Sequence, residues 1–472
     1  MAVRAPSIDS VNPATEETLA RYDAFTPDQV DDALADAHDA FGAWRERPIA
    51  ERARPMRALA GLLRERADLY ARLATLEMGK PITEARAEIE KCAWNCDHYA
   101  ENAERYLADE RVQTTARESY VAFEPLGVVL AVMPWNYPFW QVVRFAAPAL
   151  MAGNAAILKH ASNVPRCALA IEEAVRDAGF PPGLLRTVLV GGDAIEPVIA
   201  DERVRAVTLT GSSATGSRIA ELAGRALKKS VLELGGSDAY MVLADADLDA
   251  AARTGVRARY QNTGQSCIAA KRFLIAGPVA AEFERRFAEA IRSLRVGDPL
   301  EPGTQVGPLA RADLRDALER QVERSVAMGA RVVVGGNRRP GRGWYYEPTL
   351  LADVTPDMPV MDEETFGPVA ALYTVRDGED AVRMANASPY GLGASLWTRD
   401  LAAARSLARR VEAGSVFVNG MVASDPRLPF GGVKRSGFGR ELSAYGIREF
   451  VNVQTVWIGP AEEKTPHRAP SE

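Results

Sequence analysis

Val128-Val129-Leu130-Ala131-Val132 leads through Met133 into Pro134-Trp135-Asn136-Tyr137-Pro138. The first part is a short β-branched apolar run with the character of a buried strand; the second is a turn stiffened by two prolines. Outward from it, residues 155–158, 187–190 and 206–209 have the same strand character, separated by helical patterns near 140–152, 165–178, 195–200 and 212–223. Strand alternating with helix predicts a parallel sheet covered on both faces, with ligands at the carboxyl ends of its strands. A second series follows Gly235, with strands predicted at 240–243, 272–275, 331–334, 370–375 and 416–418 and helices at 247–260, 279–294 and 311–328. The predicted fold class is α/β, with two doubly wound parallel-sheet domains.

The first 110 residues read as helical. Thr26-Pro27 is a start signal, and Val30, Leu34, Ala37 and Phe41 follow at helical spacing. A second tract runs through Leu59 to Leu73 with a break expected at Pro55, and a third covers 83–107. Residues 450–457 read as a late strand without an obvious partner, an edge that could pair across subunits.

At 472 residues, with 47% apolar and 25% charged residues, the chain has the make-up of a soluble globular protein of two to four domains. Its net charge of -6 argues against nucleic acid or an anionic membrane as partner. Residues 1–10 carry no signal pattern, and the longest charge-free apolar stretch, 145–158, is too short to span a bilayer. A cytoplasmic location is expected. Cys92, Cys96, Cys167 and Cys267 are too few for a disulfide framework. Cys92 and Cys96 fall in a helical segment and are expected to pack there, and no metal site is expected. His38, His98, His160 and His467 show no metal-type spacing, and His467 lies in a tail, 461–472, expected to be disordered.

Five segments carry candidate chemistry. Thr210-Gly211-Ser212 follows a strand and opens a helix, where small residues let backbone N–H groups approach a phosphate; a plain capped turn reads the same way. Asn136 offers an amide donor for an oxyanion, although an Asn in a turn is commonly structural. Glu233 closes a strand just before Gly235-Gly236 and could serve as a base for a thiol or a water, or be a solvated loop acid. Cys267, in Gly264-Gln265-Ser266-Cys267-Ile268-Ala269-Ala270, is a candidate nucleophile on a turn expected to enter a helix whose dipole would favour thiolate; the plain reading is a small core residue. Glu364-Thr365-Phe366-Gly367-Pro368 places an acid and an aromatic where they could hold a ribose and a ring.

These segments, in this order and with Lys159 and Pro429-Phe430-Gly431-Gly432, resemble the NAD(P)-dependent aldehyde dehydrogenase superfamily over about residues 10–457. The resemblance implies an NAD(P)-binding domain (1–110 and 125–234), a catalytic domain (235–425) and an oligomerisation element (111–124 and 445–460) that builds homodimers or homotetramers. It implies that Cys267 attacks the aldehyde, that Asn136 and the Cys267 N–H hold the oxyanion, and that Glu233 activates water. The cofactor would lie along Pro134, Trp135, Lys159, Thr210, Gly211, Ser212, Leu234 and Gly235, with Glu364 on the nicotinamide ribose and Phe366 beside the ring.

Two departures refine the expectation. Ser162 stands where many NAD-preferring members carry Glu, so NADP is expected to be accepted and even preferred, with Lys159 and His160 nearby. Ser237 stands where Lys is commoner, which resembles the succinate-semialdehyde dehydrogenase subgroup. Arg144 is where that subgroup places an Arg for the substrate carboxylate. Gln261 replaces a second Arg, and Ser424 and Arg427 are further candidate substrate contacts. The leading expectation is oxidation of succinate semialdehyde. A broad aliphatic or aromatic aldehyde dehydrogenase is the alternative, and from another class a cysteine hydrolase.

Overall fold

The computed structural model describes residues 7–459; the tail expected to be disordered, with His467, lies outside the described residues. Ser7–Val11 and Thr18–Asp23 form an antiparallel hairpin, so the helical reading of the first 110 residues fails at its start. Asn12-Pro13 halts any helix there, and the Asn12 side-chain oxygen accepts the Ala14 N–H at 2.9 Å to close the turn.

Four helices follow, Pro27–Arg45, Ile49–Glu65, Ala67–Met78 and Ile82–Tyr106. The first begins in a capping box, Thr26 and Gln29 each accepting the other's backbone N–H. Pro55 does not break the second helix. The carbonyl it leaves without a helical donor belongs to Glu51, an exposed residue near the helix start. Cys92 and Cys96 are buried on the inner face of the fourth helix, and no metal-binding cluster of His, Cys, Asp or Glu occurs among the described residues.

The first sheet has six strands in the order Gly437–Phe438, Lys229–Glu233, Val204–Thr210, Val128–Met133, Ala155–His160, Leu185–Thr187. All neighbours are parallel except the first pair. The chain runs outward from Val128–Met133 in one direction and then returns to its other side, which leaves a crevice at the carboxyl ends beside that central strand.

The second sheet has seven strands in the order Arg331–Val334, Thr349–Ala352, Val369–Val375, Ala270–Ala276, Asp238–Val242, Gly393–Trp397, Ser415–Val418. Only the first pair is antiparallel. Thr349–Ala352 and Gly393–Trp397 escaped the sequence reading because neither is rich in β-branched residues. Burial alternates along the central strands: Ala239, Met241 and Leu274 enter one core, Tyr240, Val242, Phe273 and Ile275 the other.

The late strand is not an orphan. Val451–Ile458 pairs antiparallel with Glu118–Pro125 over eight residues, from Val451 opposite Pro125 to Ile458 opposite Glu118. Glu110–Arg111 lies on the far side of Glu118–Pro125, so Val451–Ile458 is an outer strand of this small sheet.

The two large sheets meet the site with opposite ends. The first contributes loops after its strands: Pro134 to Pro138 after Val128–Met133, and Gly211-Ser212 after Val204–Thr210. The second contributes loops before its strands: Gly235-Gly236 before Asp238–Val242, Cys267 before Ala270–Ala276, and Glu364 to Pro368 before Val369–Val375. Ser436 stitches the two together, its hydroxyl donating to the Gly235 carbonyl at 2.6 Å and accepting the Gly391 N–H at 3.0 Å.

Candidate active site

Two clefts open on either side of one thiol. The first, of about 450 Å³, is lined by Pro134, Trp135, Asn136, Lys159, Thr210, Gly211, Ser212, Leu234, Gly235, Glu364 and Phe366, with Cys267 also on its wall. Small residues and strand ends dominate it. Ser212 caps the helix Ser213–Arg225, accepting the Thr215 N–H at 3.3 Å, so the free N–H groups of that helix face the cleft beside Gly211. Glu364 is fixed by the Gly236 N–H at 3.0 Å and by the Lys271 ammonium at 3.3 Å. A Cβ at Gly235 would collide with the Glu364 carboxylate. Phe366 meets Trp135 edge-to-face, ring centroids 5.7 Å apart. Lys159 lines the cleft, its pKa lowered by burial, and no carboxylate lies within ion-pair distance of it among the described residues. This set suits a long anionic ligand with a ring at the Cys267 end.

One cofactor expectation needs correction, a charge from His160 at the phosphate. Ser162 is exposed, two residues past the strand that carries Lys159. The His160 ring turns inward, its Nε2 lying 2.8 Å from the Pro138 carbonyl oxygen. Burial pushes its pKa down to about 4, so it is neutral and adds no charge to a phosphate site.

The second cleft, of about 430 Å³, contains Arg144, Gln261 and Ser424 together with Glu84, Glu88, Lys91, Tyr137, Trp140, Arg257, Ser266, Cys267 and Phe430. Arg427 is not part of it; the guanidinium is held by Asp425 at 2.6 Å and lies over the exposed Trp94 ring.

Cys267 does not open a helix. It follows Asn262, Thr263 and Gly264, which all have left-handed backbone (φ 52, 57 and 72°), and leads into the strand Ala270–Ala276. No helix begins at Cys267 to lend the thiol its dipole. Burial pushes it up to about 12, with Lys271 and Arg144 pulling the other way. The left-handed path costs about 1–3 kcal/mol per non-glycine residue, and its neighbours offset that cost. Glu84 accepts the Asn262 N–H at 2.6 Å, Asn262 Nδ2 donates to the Asn136 carbonyl at 2.8 Å, and Thr263 Oγ1 accepts the Gly307 N–H at 3.0 Å. Lys271 donates to the Ser266 and Cys267 carbonyls at 2.9 and 2.8 Å.

Asn136 Nδ2 donates to the Gln265 carbonyl at 3.1 Å. One N–H of the amide thereby orients the group, and the other is left for a ligand. The turn that carries it is clamped from below: the buried Glu88 accepts the N–H groups of Phe139 and Trp140, both at 2.9 Å, at the start of the helix Trp140–Ala152. Glu88 is itself paired with the fully buried Lys80, whose ammonium lies 3.6 Å from the Tyr137 ring centre.

Glu233 sits at the end of its strand as expected, 2% exposed. Its carboxyl does not reach Cys267 by a hydrogen bond; neither oxygen has a partner among the described residues. It faces Gly431, where a Cβ would lie 2.8 Å from Oε1. Burial, reinforced by Glu441, raises its pKa well above the ordinary carboxyl value. Arg144 forms a buried ion pair with Glu441, its Nη2 donates to Thr210 Oγ1 at 3.2 Å, and its guanidinium lies over the Phe430 ring. The residue expected to greet a substrate carboxylate already has a carboxylate of its own.

Sequence reasoning missed Glu84, Glu88, Lys91, Lys271 and Glu441. The one signal available was spacing: positions 84, 88 and 91 share a helical face, which reads equally well as a solvated stripe.

Comparison with known proteins agrees with this geometry. The sequence profile of the aldehyde dehydrogenase family matches residues 2–456. A probable succinate-semialdehyde dehydrogenase (NADP+) of Synechocystis is 53% identical over 452 residues, 96% of this chain and 100% of its own. A succinate-semialdehyde dehydrogenase (NADP+) of Mycobacterium tuberculosis is 51% identical over 96% of this chain and 99% of its own. Among solved structures, the succinic semialdehyde dehydrogenase of Streptococcus pyogenes in complex with NADP+ superposes with a TM-score of 0.94 at 38% identity, covering 96% of this chain and 100% of its own. With two clefts meeting at Cys267 and a match along nearly its whole length, this chain belongs to the aldehyde dehydrogenase family.

Proposed function

We propose that the protein oxidises succinate semialdehyde to succinate with NADP as acceptor. One observation carries the reading: Cys267 is the residue shared by a cleft suited to a dinucleotide and a charged cleft suited to a short polar aldehyde. The relatives named for this substrate and cofactor, about half identical over almost all of the chain, support it.

The thiol is the nucleophile toward the aldehyde carbon. The free N–H of Asn136 and the Cys267 backbone N–H take the oxyanion of the thiohemiacetal. NADP, when bound, supplies the hydride acceptor. Glu233 takes a proton from the water that releases the acid from the Cys267 thioester, and from the thiol before attack. Both roles require its carboxyl to turn away from Glu441, and the absence of a side chain at Gly431 leaves space for that movement. Thr210, Gly211 and Ser212 hold phosphate, Lys159 the adenine ribose, Glu364 the nicotinamide ribose. Arg144, Gln261 and Ser424 line the space for the rest of the substrate. The outer strand Val451–Ile458, with exposed Val453 and Trp457, suits pairing between copies as a homodimer or homotetramer. Four free thiols suit a reducing cytoplasm.

The test is steady-state oxidation of succinate semialdehyde, butanal and benzaldehyde with NADP and with NAD. The highest kcat/KM is expected for succinate semialdehyde with NADP. A preference for the neutral aldehydes would replace this reading with a broad-specificity enzyme.

A further inference from the structure

The substrate cleft holds five charged side chains besides its nucleophile, and two of them are in buried ion pairs among the described residues. Glu88 is paired with Lys80, and Arg144 with Glu441. Glu84 accepts the Asn262 N–H, and burial pushes its pKa up to about 7, with Lys80 and Arg257 acting against that rise. Arg257 is exposed to solvent. Lys91 is different. Its ammonium donates to Ser424 Oγ at 2.6 Å and lies 4.4 Å from the Trp140 ring centre. No carboxylate comes within ion-pair distance of it among the described residues.

An ammonium with a hydroxyl and an aromatic face around it, and no anion, is a receptor for one. We propose that Lys91, with Ser424 beside it, receives the carboxylate of the substrate and so selects ω-carboxy aldehydes over neutral ones. This rests on the substrate reading given above. Arg144, in the same cleft, already has Glu441 and Thr210 Oγ1 as partners. The surroundings of Lys91 fit the role: burial and Arg144 push its pKa down to about 8, while Cys92, Glu88 and Asp425 oppose the shift. It carries its charge at neutral pH and gains from an added anion.

The test compares Lys91→Met, Lys91→Arg and Arg257→Leu with the parent enzyme on succinate semialdehyde and butanal. Lys91→Met is expected to raise KM for succinate semialdehyde by about tenfold or more, the scale of a lost charge-assisted hydrogen bond. KM for butanal should move far less, and Lys91→Arg should restore most of the loss. Equal changes for both aldehydes, or the selective loss appearing in Arg257→Leu instead, would overturn the assignment. A measurement on the unaltered protein is independent of any folding defect. Butyrate should inhibit butanal oxidation competitively, and its Ki should climb as pH rises through about 8; a flat profile would overturn the role. Parent enzyme that turns over butanal but not succinate semialdehyde would refute the substrate reading itself, and a parent with the proper substrate preference but an indifferent Lys91→Met would refute only this inference.

Discussion

The two clefts on either side of Cys267 are built in different materials. The cofactor side is built mainly on strand ends and small residues of the first sheet, Thr210, Gly211 and Ser212 among them, with Glu364 and Phe366 supplied by a loop of the second. The substrate side is made largely of long charged side chains from the helices Ile82–Tyr106 and Trp140–Ala152, and most of them are held by groups distant in sequence, as Arg144 is by Glu441 and Lys91 by Ser424. A ligand that many enzymes share can be met by main chain, whereas discrimination among aldehydes needs charged side chains placed so that one is left for the substrate.

Substitutions on and around the thiol can break or sharpen that contrast. Cys267→Ala should abolish aldehyde oxidation while leaving NADP binding, measured by calorimetry, in place; loss of both would mean that the clefts are not separable. Glu233→Gln should lower kcat by about 10²–10⁴-fold and leave a burst of reduced cofactor, because release of the acid becomes limiting. In the parent enzyme burial holds Glu233 protonated to well above the usual carboxyl range, so the base is idle at low pH and kcat should rise with pH. Glu233→Gln should lose that rise.

Glu88→Gln strands the buried Lys80 ammonium and should cost about 3–5 kcal/mol of stability in urea unfolding. A negligible shift would show that the substrate wall is not a balanced charge system. Asn136→Ala should lower kcat by about 10²–10³-fold with little change in the Kd for NADP; a large rise in that Kd would move the residue to the cofactor side of the comparison. The smallest effect is expected from Ser162→Glu. An exposed acid beyond the cleft should reduce kcat/KM for NADP relative to NAD by about fivefold, as read from paired initial rates.

The same contrast decided what could be read in advance. Gly211, Ser212 and Gly235 are conspicuous because small residues at a strand end let the backbone approach a ligand closely, and that requirement is local. The alternation of strand and helix was equally legible, except where Thr349–Ala352 and Gly393–Trp397 lack β-branched density. Glu88 and Lys91 carried no such mark, since a charged stripe on a helix looks solvated until the helix Trp140–Ala152 and the loop at Ser424 cover it. The expected helix after Cys267 failed because left-handed residues at Asn262 and Thr263 turn the chain into a strand, and the holders of that turn, Glu84 and Gly307, lie 178 and 44 positions away. Arg144 was found, but its partner Glu441 arrives only when the segment from Pro429 onward crosses between the sheets.

The left-handed turn ahead of Cys267 also ties the nucleophile to the assembled fold. Its supports come from the helical layer, the Asn136 turn and the loop at Gly307, so no single stretch of chain can impose the turn by itself. The geometry of the nucleophile therefore depends on contacts from several distant segments at once. Aldehyde reactivity of Cys267 followed during refolding is then expected to appear only with the native fold, ahead of which the chain would carry an ordinary thiol.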